Sequence, residues 1–286
     1  MALLLAPGGC PAAVEAAVSA GADGVYCGLP KLSRAEGTGL TRLELAGCLD
    51  FVHRRGRFLH LAANAVPGHR DLPAFQSSLA ECATLGIDAA IVNDPGLIAW
   101  ARRELPGLPV YASVGLAALN REDIRFYGDL GVAGVVCPPG TAPGTLSLVS
   151  GPGLEVFCDL AVEPLVTGRC ALSSYTRPGP AKADTPEPAD QVKRGAVCRQ
   201  PCRLPWAYED GDGAGGYQSL RSPFTWRRYR MEDMVPYLRA GVTLFKIQGR
   251  RLSPPAVAGL VDRYRRLLDQ ARQQVERNEQ ISRTSN

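Results

Sequence analysis

The sequence lacks any long apolar run. No stretch approaches the roughly 18 residues that a membrane-crossing helix needs, so no membrane span is expected. The start, Met1-Ala2-Leu3-Leu4-Leu5-Ala6-Pro7, has no basic segment ahead of its short apolar stretch. That argues against a secretory leader and for a cytoplasmic protein. Histidine is scarce: His53, His60 and His69 are the only three, and no H-E-x-x-H is present, which excludes a zincin-type protease. No G-x-S-x-G elbow supports a hydrolase triad. Gly8-Gly9 lacks the G-x-G-x-x-G spacing that brings backbone amides to a pyrophosphate.

Lysine is nearly missing. Only Lys31, Lys182, Lys193 and Lys246 occur among 32 basic residues, the other 28 being arginine. Arginine suits bidentate anion contacts, yet the excess is spread along the chain and the net charge is only +4. No basic block with interleaved aromatics stands out, so nucleic-acid binding is permitted but not indicated.

What is present is an ordinary globular composition, 45% hydrophobic and 21% charged over 286 residues, which is ample for a buried core. Nine cysteines are the odd feature. Their number is odd and the expected compartment is reducing, so structural disulfides are not expected. Most should be small core residues unless some hold a metal.

Apolar runs and helical patterns alternate along the first 160 residues. The runs cover 3–6, 24–27, 58–64, 89–92, 110–113, 132–137 and 154–158, bounded by Gly, Pro, Asn or Asp. Amphipathic stretches at 11–20, 42–54, 74–85, 96–105 and 121–130 lie between them. An eighth run, 243–247, precedes a long helical pattern at 254–276. Eight such units predict an α/β protein with a (β/α)8, TIM-barrel-like fold. Residues 1–158 supply seven units, 159–241 form an insertion after strand seven, and 242–280 complete the barrel. Within the insertion, 177–196 reads as a polar loop and 205–220 as a hairpin. Active sites of such barrels lie on the face where this insertion sits.

Cys198 and Cys202 stand four positions apart in the insertion, with Cys170 upstream. Thiolates on irregular backbone can converge on a soft metal centre, either zinc or an iron–sulfur cluster. Arg169, Arg199 and Arg203 would offset their charge.

These residues resemble peptidase family U32. The resemblance rests on Leu154-Glu155-Val156-Phe157, on Gly168-Arg169-Cys170-Ala171-Leu172-Ser173-Ser174-Tyr175, and on Cys198-x3-Cys202-Arg203. It extends to Ala6-Pro7-Gly8-Gly9, to Gly21-Ala22-Asp23-Gly24-Val25-Tyr26-Cys27-Gly28, and to Phe245-Lys246-Ile247-Gln248-Gly249-Arg250. The nearest look is to the paired UbiU- and UbiV-type members, which act in oxygen-independent ubiquinone hydroxylation. Members that hydroxylate a base in tRNA or 23S rRNA are the alternative. The resemblance implies a four-cysteine 4Fe–4S cluster, a paralogous heterodimer partner, a small quinone precursor as substrate and prephenate as hydroxyl donor. A non-catalytic or electron-relay subunit is a further reading.

Departures from the family pattern carry information. Glu163 stands where a cysteine is usual, leaving Cys27, then Glu163, then Cys10 as candidates for a fourth ligand beside Cys170, Cys198 and Cys202. Cys48 and Cys82 fall in helical patterns and are expected in the core. Ser113-Val114-Gly115, Pro138-Pro139-Gly140 and Asp159 stand where Ser-x-Gln, Pro-Arg-Glu and a histidine are common. Asn64, Asp94, Asn120, Glu155, Lys246 and Arg250 match, each with a structural cap or buried hydrogen bond as the plainer reading. Glu155, Asp159 and Lys246 are the expected polar or acid/base groups at the barrel mouth. His60, in a strand, reads as a core histidine before a catalytic one.

Overall fold

Each apolar run of the sequence becomes a strand of one closed sheet. The structure, a computed structural model, describes residues 2–34, 39–162, 206–208, 218–220 and 225–284. The first strands are β1 (Leu3–Pro7), β2 (Gly24–Cys27), β3 (Phe58–Ala63) and β4 (Ala89–Val92). They are followed by β5 (Val110–Ala112), β6 (Gly134–Val136) and β7 (Gly153–Val162). Each pairs parallel with the next. The late strand β11 (Val242–Ile247) pairs parallel with β7 on one side and β1 on the other, closing an eight-stranded parallel barrel.

Helices alternate with these strands: α1 (Pro11–Ser19), α2 (Arg42–His53), α3 (Leu72–Thr84), α4 (Pro95–Glu104), α5 (Arg121–Asp129) and the short α6 (Pro143–Leu146). Their starts follow local chemistry. Thr41 and Glu44 form a reciprocal capping box on α2. Asp94 caps α4 through the Leu97 amide, and Asn120 caps α5 through the amides of Glu122 and Asp123. Gly21 and Gly86 turn the chain after α1 and α3 at φ +99° and +93°, where a β-carbon would be strained. Two residues later in each case, an aspartate anchors the neighbouring strand. Asp23 accepts from the Leu4 amide at 2.8 Å, and Asp88 accepts from the Leu59 amide at 2.7 Å.

The segment read as an insertion contains two elements of the barrel framework. A hairpin of β8 (Trp206–Tyr208) and β9 (Gln218–Leu220) pairs antiparallel, as the sequence predicts. Then β10 (Thr225–Arg228) pairs antiparallel with Asp159–Val162 of β7, which runs four residues past its expected end at Cys158. Helix α7 (Met231–Arg239) packs on β11 and on the 31-residue α8 (Pro254–Thr284), serving as the seventh barrel helix. The sequence reading missed it because Pro236 interrupts the pattern.

Strand alternation divides the core in two. Leu4, Val25, Leu59, Val92, Val110, Val135 and Phe245 face outward into a continuous apolar layer with the helices. Leu5, Tyr26, Ile91, Val136 and Leu244 face inward, joined by Leu3, Phe58, Tyr111 and Phe157. Glycine clears room inside: a β-carbon at Gly24 would lie 2.2 Å from the Phe58 ring, and one at Gly134 2.3 Å from the Tyr111 ring.

One irregularity resets this alternation. Phe157 pairs with Lys246 but Asp159 pairs with Ile247, so Cys158 is an extra residue in β7. Cys158 and Ile247 both lie in the outer layer, and Asp159 bonds the helix residue Tyr264.

Candidate active site

Two charged residues of largely apolar strands meet inside the barrel. Lys246 of β11 donates from Nζ to Glu155 Oε1 of β7 at 2.7 Å, with Glu155 fully buried and Lys246 nearly so. The ammonium also sits 4.3 Å from the Tyr26 ring centroid and 5.6 Å from that of Phe157. Burial lowers the lysine from its ordinary range, while the Glu155 carboxylate pulls it back up. A proton held by such a pair sits in a low-dielectric setting, where an ammonium can donate to a bound group.

His60 joins this cluster. Its ring lies 4.8 Å from Phe58 and 4.9 Å from Tyr111. Burial, with the nearby Lys246 charge, depresses it to about 3, so the imidazole is neutral at physiological pH. Burial raises Tyr26 to about 12, and its hydroxyl donates to the Ile247 carbonyl at 3.0 Å. Burial and then Glu155 raise Tyr111.

Buried polar groups are nearly always paired, yet three on or just past these strands are not. His60 Nδ1, Glu155 Oε2 and Asn93 Oδ1 have no hydrogen-bond partner among the described residues. Asn93, just past β4, lies against Gly115, where a β-carbon would be 2.1 Å from Asn93 Oδ1. The missing side chain at Gly115 is therefore what lets Asn93 occupy this spot. The open atoms of His60 and Glu155, near the Tyr26, Tyr111 and Phe157 rings, carry hydrogen-bonding capacity that no described residue meets.

The other expected site residues fall elsewhere. Asp159 is fully buried and already engaged, accepting from Trp226 Nε1 at 2.7 Å and from the Tyr264 hydroxyl at 3.0 Å. The extra residue at Cys158 turns it from the barrel interior toward α8, so it pins β10 and α8 to β7. Cys27 also faces outward, into the layer beneath α1 beside Gly8, and burial pushes its thiol well above the ordinary range. Strand alternation already implied this, since Tyr26 points inward. Cys10, the N-cap of α1, is exposed where β1 ends. Cys137 and Cys158 are buried in the outer layer. Cys48 and Cys82 are buried helix residues, as expected. Cys170, Cys198, Cys202 and Glu163 lie outside the described residues.

The matching polar residues divide between structure and site. Asp94 and Asn120 are helix caps. Asn64 accepts from the Arg34 amide at 3.1 Å, and Arg250 donates from Nη1 to Ser33 Oγ at 2.5 Å beside Tyr26. A stretch the sequence reading passed over is Trp226-Arg227-Arg228-Tyr229-Arg230, in which rings and guanidiniums do interleave. Its arginines are exposed on β10 and just after it. The signal was present in the sequence but was diluted by an arginine excess along the whole chain.

The family model for peptidase family U32 matches residues 9–286. Among curated proteins, the tRNA hydroxylation protein P of Haemophilus influenzae is 26% identical over 251 residues, covering 85% of this chain and 52% of that protein. A 23S rRNA 5-hydroxycytidine synthase of Escherichia coli is 24% identical, over 93% of this chain and 39% of that enzyme. A collagenase of Porphyromonas gingivalis is 26% identical, over 89% of this chain and 62% of its own length. The chain thus spans about half the length of the curated relatives it matches. A solved U32 peptidase structure superposes with a TM-score of 0.57 at 13% identity, covering 87% of this chain and 93% of that one, which supports the barrel fold alone. No helix among the described residues is long and apolar enough to cross a membrane. With its signature strands closed into this barrel and the family pattern running to its last residue, the chain belongs to peptidase family U32.

Proposed function

We propose that this chain works in RNA base hydroxylation, with the barrel interior receiving the base to be modified. The observation that carries the reading is the pair of open polar atoms on His60 and Glu155, beside aromatic rings. A flipped nucleobase is a planar ring with polar edges, and such a ring is recognised by edge hydrogen bonds and flanking aromatics. Two relatives matching most of the chain bear RNA hydroxylation names, which favours RNA over the quinone precursor and paralogous heterodimer implied by motif resemblance.

In this reading Lys246 is the proton donor to a ring heteroatom, and Glu155 keeps the ammonium charged and aimed. Neutral His60 offers one further hydrogen bond to the base edge, and Tyr26 supplies a ring face. A 4Fe–4S cluster on Cys170, Cys198 and Cys202 is part of the proposal, with Cys10 or Glu163 as the further donor. Cys27 suits that role poorly, because its thiol is enclosed in the outer apolar layer. Such a cluster would supply one-electron chemistry when bound.

Mass spectrometry of nucleosides from cells lacking the chain tests the reading. A hydroxylated nucleoside should disappear, return with the wild-type chain, and stay absent with Glu155→Gln or Lys246→Met. Unchanged hydroxylated nucleosides in the deletion strain would overturn it. Iron and sulfide measured on anaerobically purified protein test the cluster separately; an iron-free chain would remove it.

A further inference from the structure

Two glycines from separate loops clear a seat for one guanidinium. Arg250 follows β11, Gly9 follows β1 and Gly28 follows β2, three strands adjacent in the barrel, so these loops share its C-terminal mouth. A β-carbon on Gly9 would collide with the Arg250 carbonyl, and one on Gly28 would lie 2.5 Å from Arg250 Nη1. The guanidinium is held in this seat. Its Nη1 donates to Ser33 Oγ, and the group lies 5.8 Å from the Tyr26 ring centroid.

The seat supplies no counter-charge. Among the described residues Arg250 forms no ion pair, and its Nε and Nη2 have no hydrogen-bond partner. Neither nitrogen is sealed from solvent, so a ligand can reach both. The ionisable groups that would support its charge are Tyr26 and Cys27, and burial keeps both protonated. Burial also draws the guanidinium below its ordinary range. Enclosing a cation in this way is costly unless an anion completes it. The seat is also tied to the barrel interior. Lys246 Nζ lies 4.3 Å from the same Tyr26 ring, and the Arg250 charge pulls that ammonium down.

We propose that Arg250 binds the phosphate of the nucleotide whose base enters the barrel. A guanidinium presents paired donors to phosphate oxygens, and the edge carrying Nε and Nη2 is the one left open here. Loops after the last strands of such barrels often carry phosphate sites. Both cations share the Tyr26 ring, so one nucleotide can meet the ammonium with its base and the guanidinium with its phosphate. The assignment rests on the RNA reading above and names the group that holds the nucleotide's charge. A small carboxylate would satisfy the same edge, and the test separates the two.

Isothermal titration calorimetry at low salt on the anaerobically purified full chain tests it, with cytidine and uridine 5′-monophosphates each compared with its nucleoside. At least one monophosphate should bind about ten-fold tighter than its nucleoside, as a charge-assisted contact provides. Arg250→Gln should erase that difference by weakening the monophosphate alone. Arg250→Lys, which keeps the charge but not the fork, should retain part of it. Circular dichroism establishes that each variant is folded. An arginine with a purely structural role would instead weaken nucleoside and monophosphate alike, which would overturn the assignment. Equal affinities for monophosphate and nucleoside in the wild type would overturn it, as would a preference that Arg250→Gln retains. Succinate binding that depends on Arg250, without a preference for monophosphates, would overturn it in favour of a carboxylate guest. Absence of binding by any of these probes overturns it as well, and the nucleoside assay then decides the RNA reading independently.

Discussion

On the outer side of the barrel wall, Leu4, Val25, Leu59, Val92 and Phe245 pack against helix residues such as Val14, Leu49, Leu79, Ile98 and Tyr264, all buried. On the inner side the same strands carry Tyr26, His60, Glu155 and Lys246, with polar atoms left open. Both faces are equally dry, so burial alone does not separate scaffold from site. What separates them is whether polar capacity is matched. The outer layer is nearly all hydrocarbon and its value lies in area removed from water. The inner one keeps groups whose desolvation is only partly offset, an arrangement that costs stability and is characteristic of binding and catalysis.

Substitutions can break this comparison. Phe245→Ala in the outer layer should destabilise by about 3–5 kcal/mol in urea unfolding, and no single nearby substitution should restore it. Lys246→Met should cost about 3 kcal/mol by leaving Glu155 buried without its cation, but Glu155→Leu/Lys246→Met should recover most of that loss while abolishing nucleoside hydroxylation. If the double variant is as unstable as the single, the inner pair is scaffold after all. Gly134→Ala should cost about 1–3 kcal/mol, because the added methyl meets the Tyr111 ring.

A pH series sharpens the contrast further. His60 has a folded value near 3, against an ordinary value of 6.5. The unfolded chain therefore takes up the proton first, so this contribution is fully present above about pH 6.5 and is lost as pH falls toward 3. The slope should be about 1.4 kcal/mol per pH unit in that window, and His60→Phe should remove it. An unchanged slope would mean that the imidazole meets water. The smallest effect belongs to the exterior: Gly47→Ala in α2, where nothing lies within 4 Å of the new methyl, should raise stability by up to about 1 kcal/mol.

The fold was legible because each apolar run is bounded by residues that stop a strand. The runs at 24–27 and 89–92 coincide with β2 and β4, and the others agree to within a few residues. Glu155 and Lys246 were legible as single charges in apolar strands, a pattern that costs too much to occur without a partner. His60 was harder, because a histidine among aromatic rings looks like packing until its open Nδ1 is seen. The turn of Asp159 was not legible at all. An extra residue in one strand leaves no mark in a sequence whose neighbours are all apolar, and alternation then puts the side chain on the wrong face. β10 was hidden for another reason: Thr-Trp-Arg-Arg makes a poor buried strand, and only an exposed position beside the end of β7 makes it a good one.

That position has a consequence for association between copies of the chain. Closing eight strands into a ring removes their edges, but β10 reopens one, since among the described residues it pairs with β7 alone. An unpaired edge is a template on which another chain can add a strand. Arg227 and Arg228 put two like charges on that edge, so a second copy approaching in register would meet its own repulsion. Neutralising these two arginines should therefore favour self-association even where nothing else in the fold has changed.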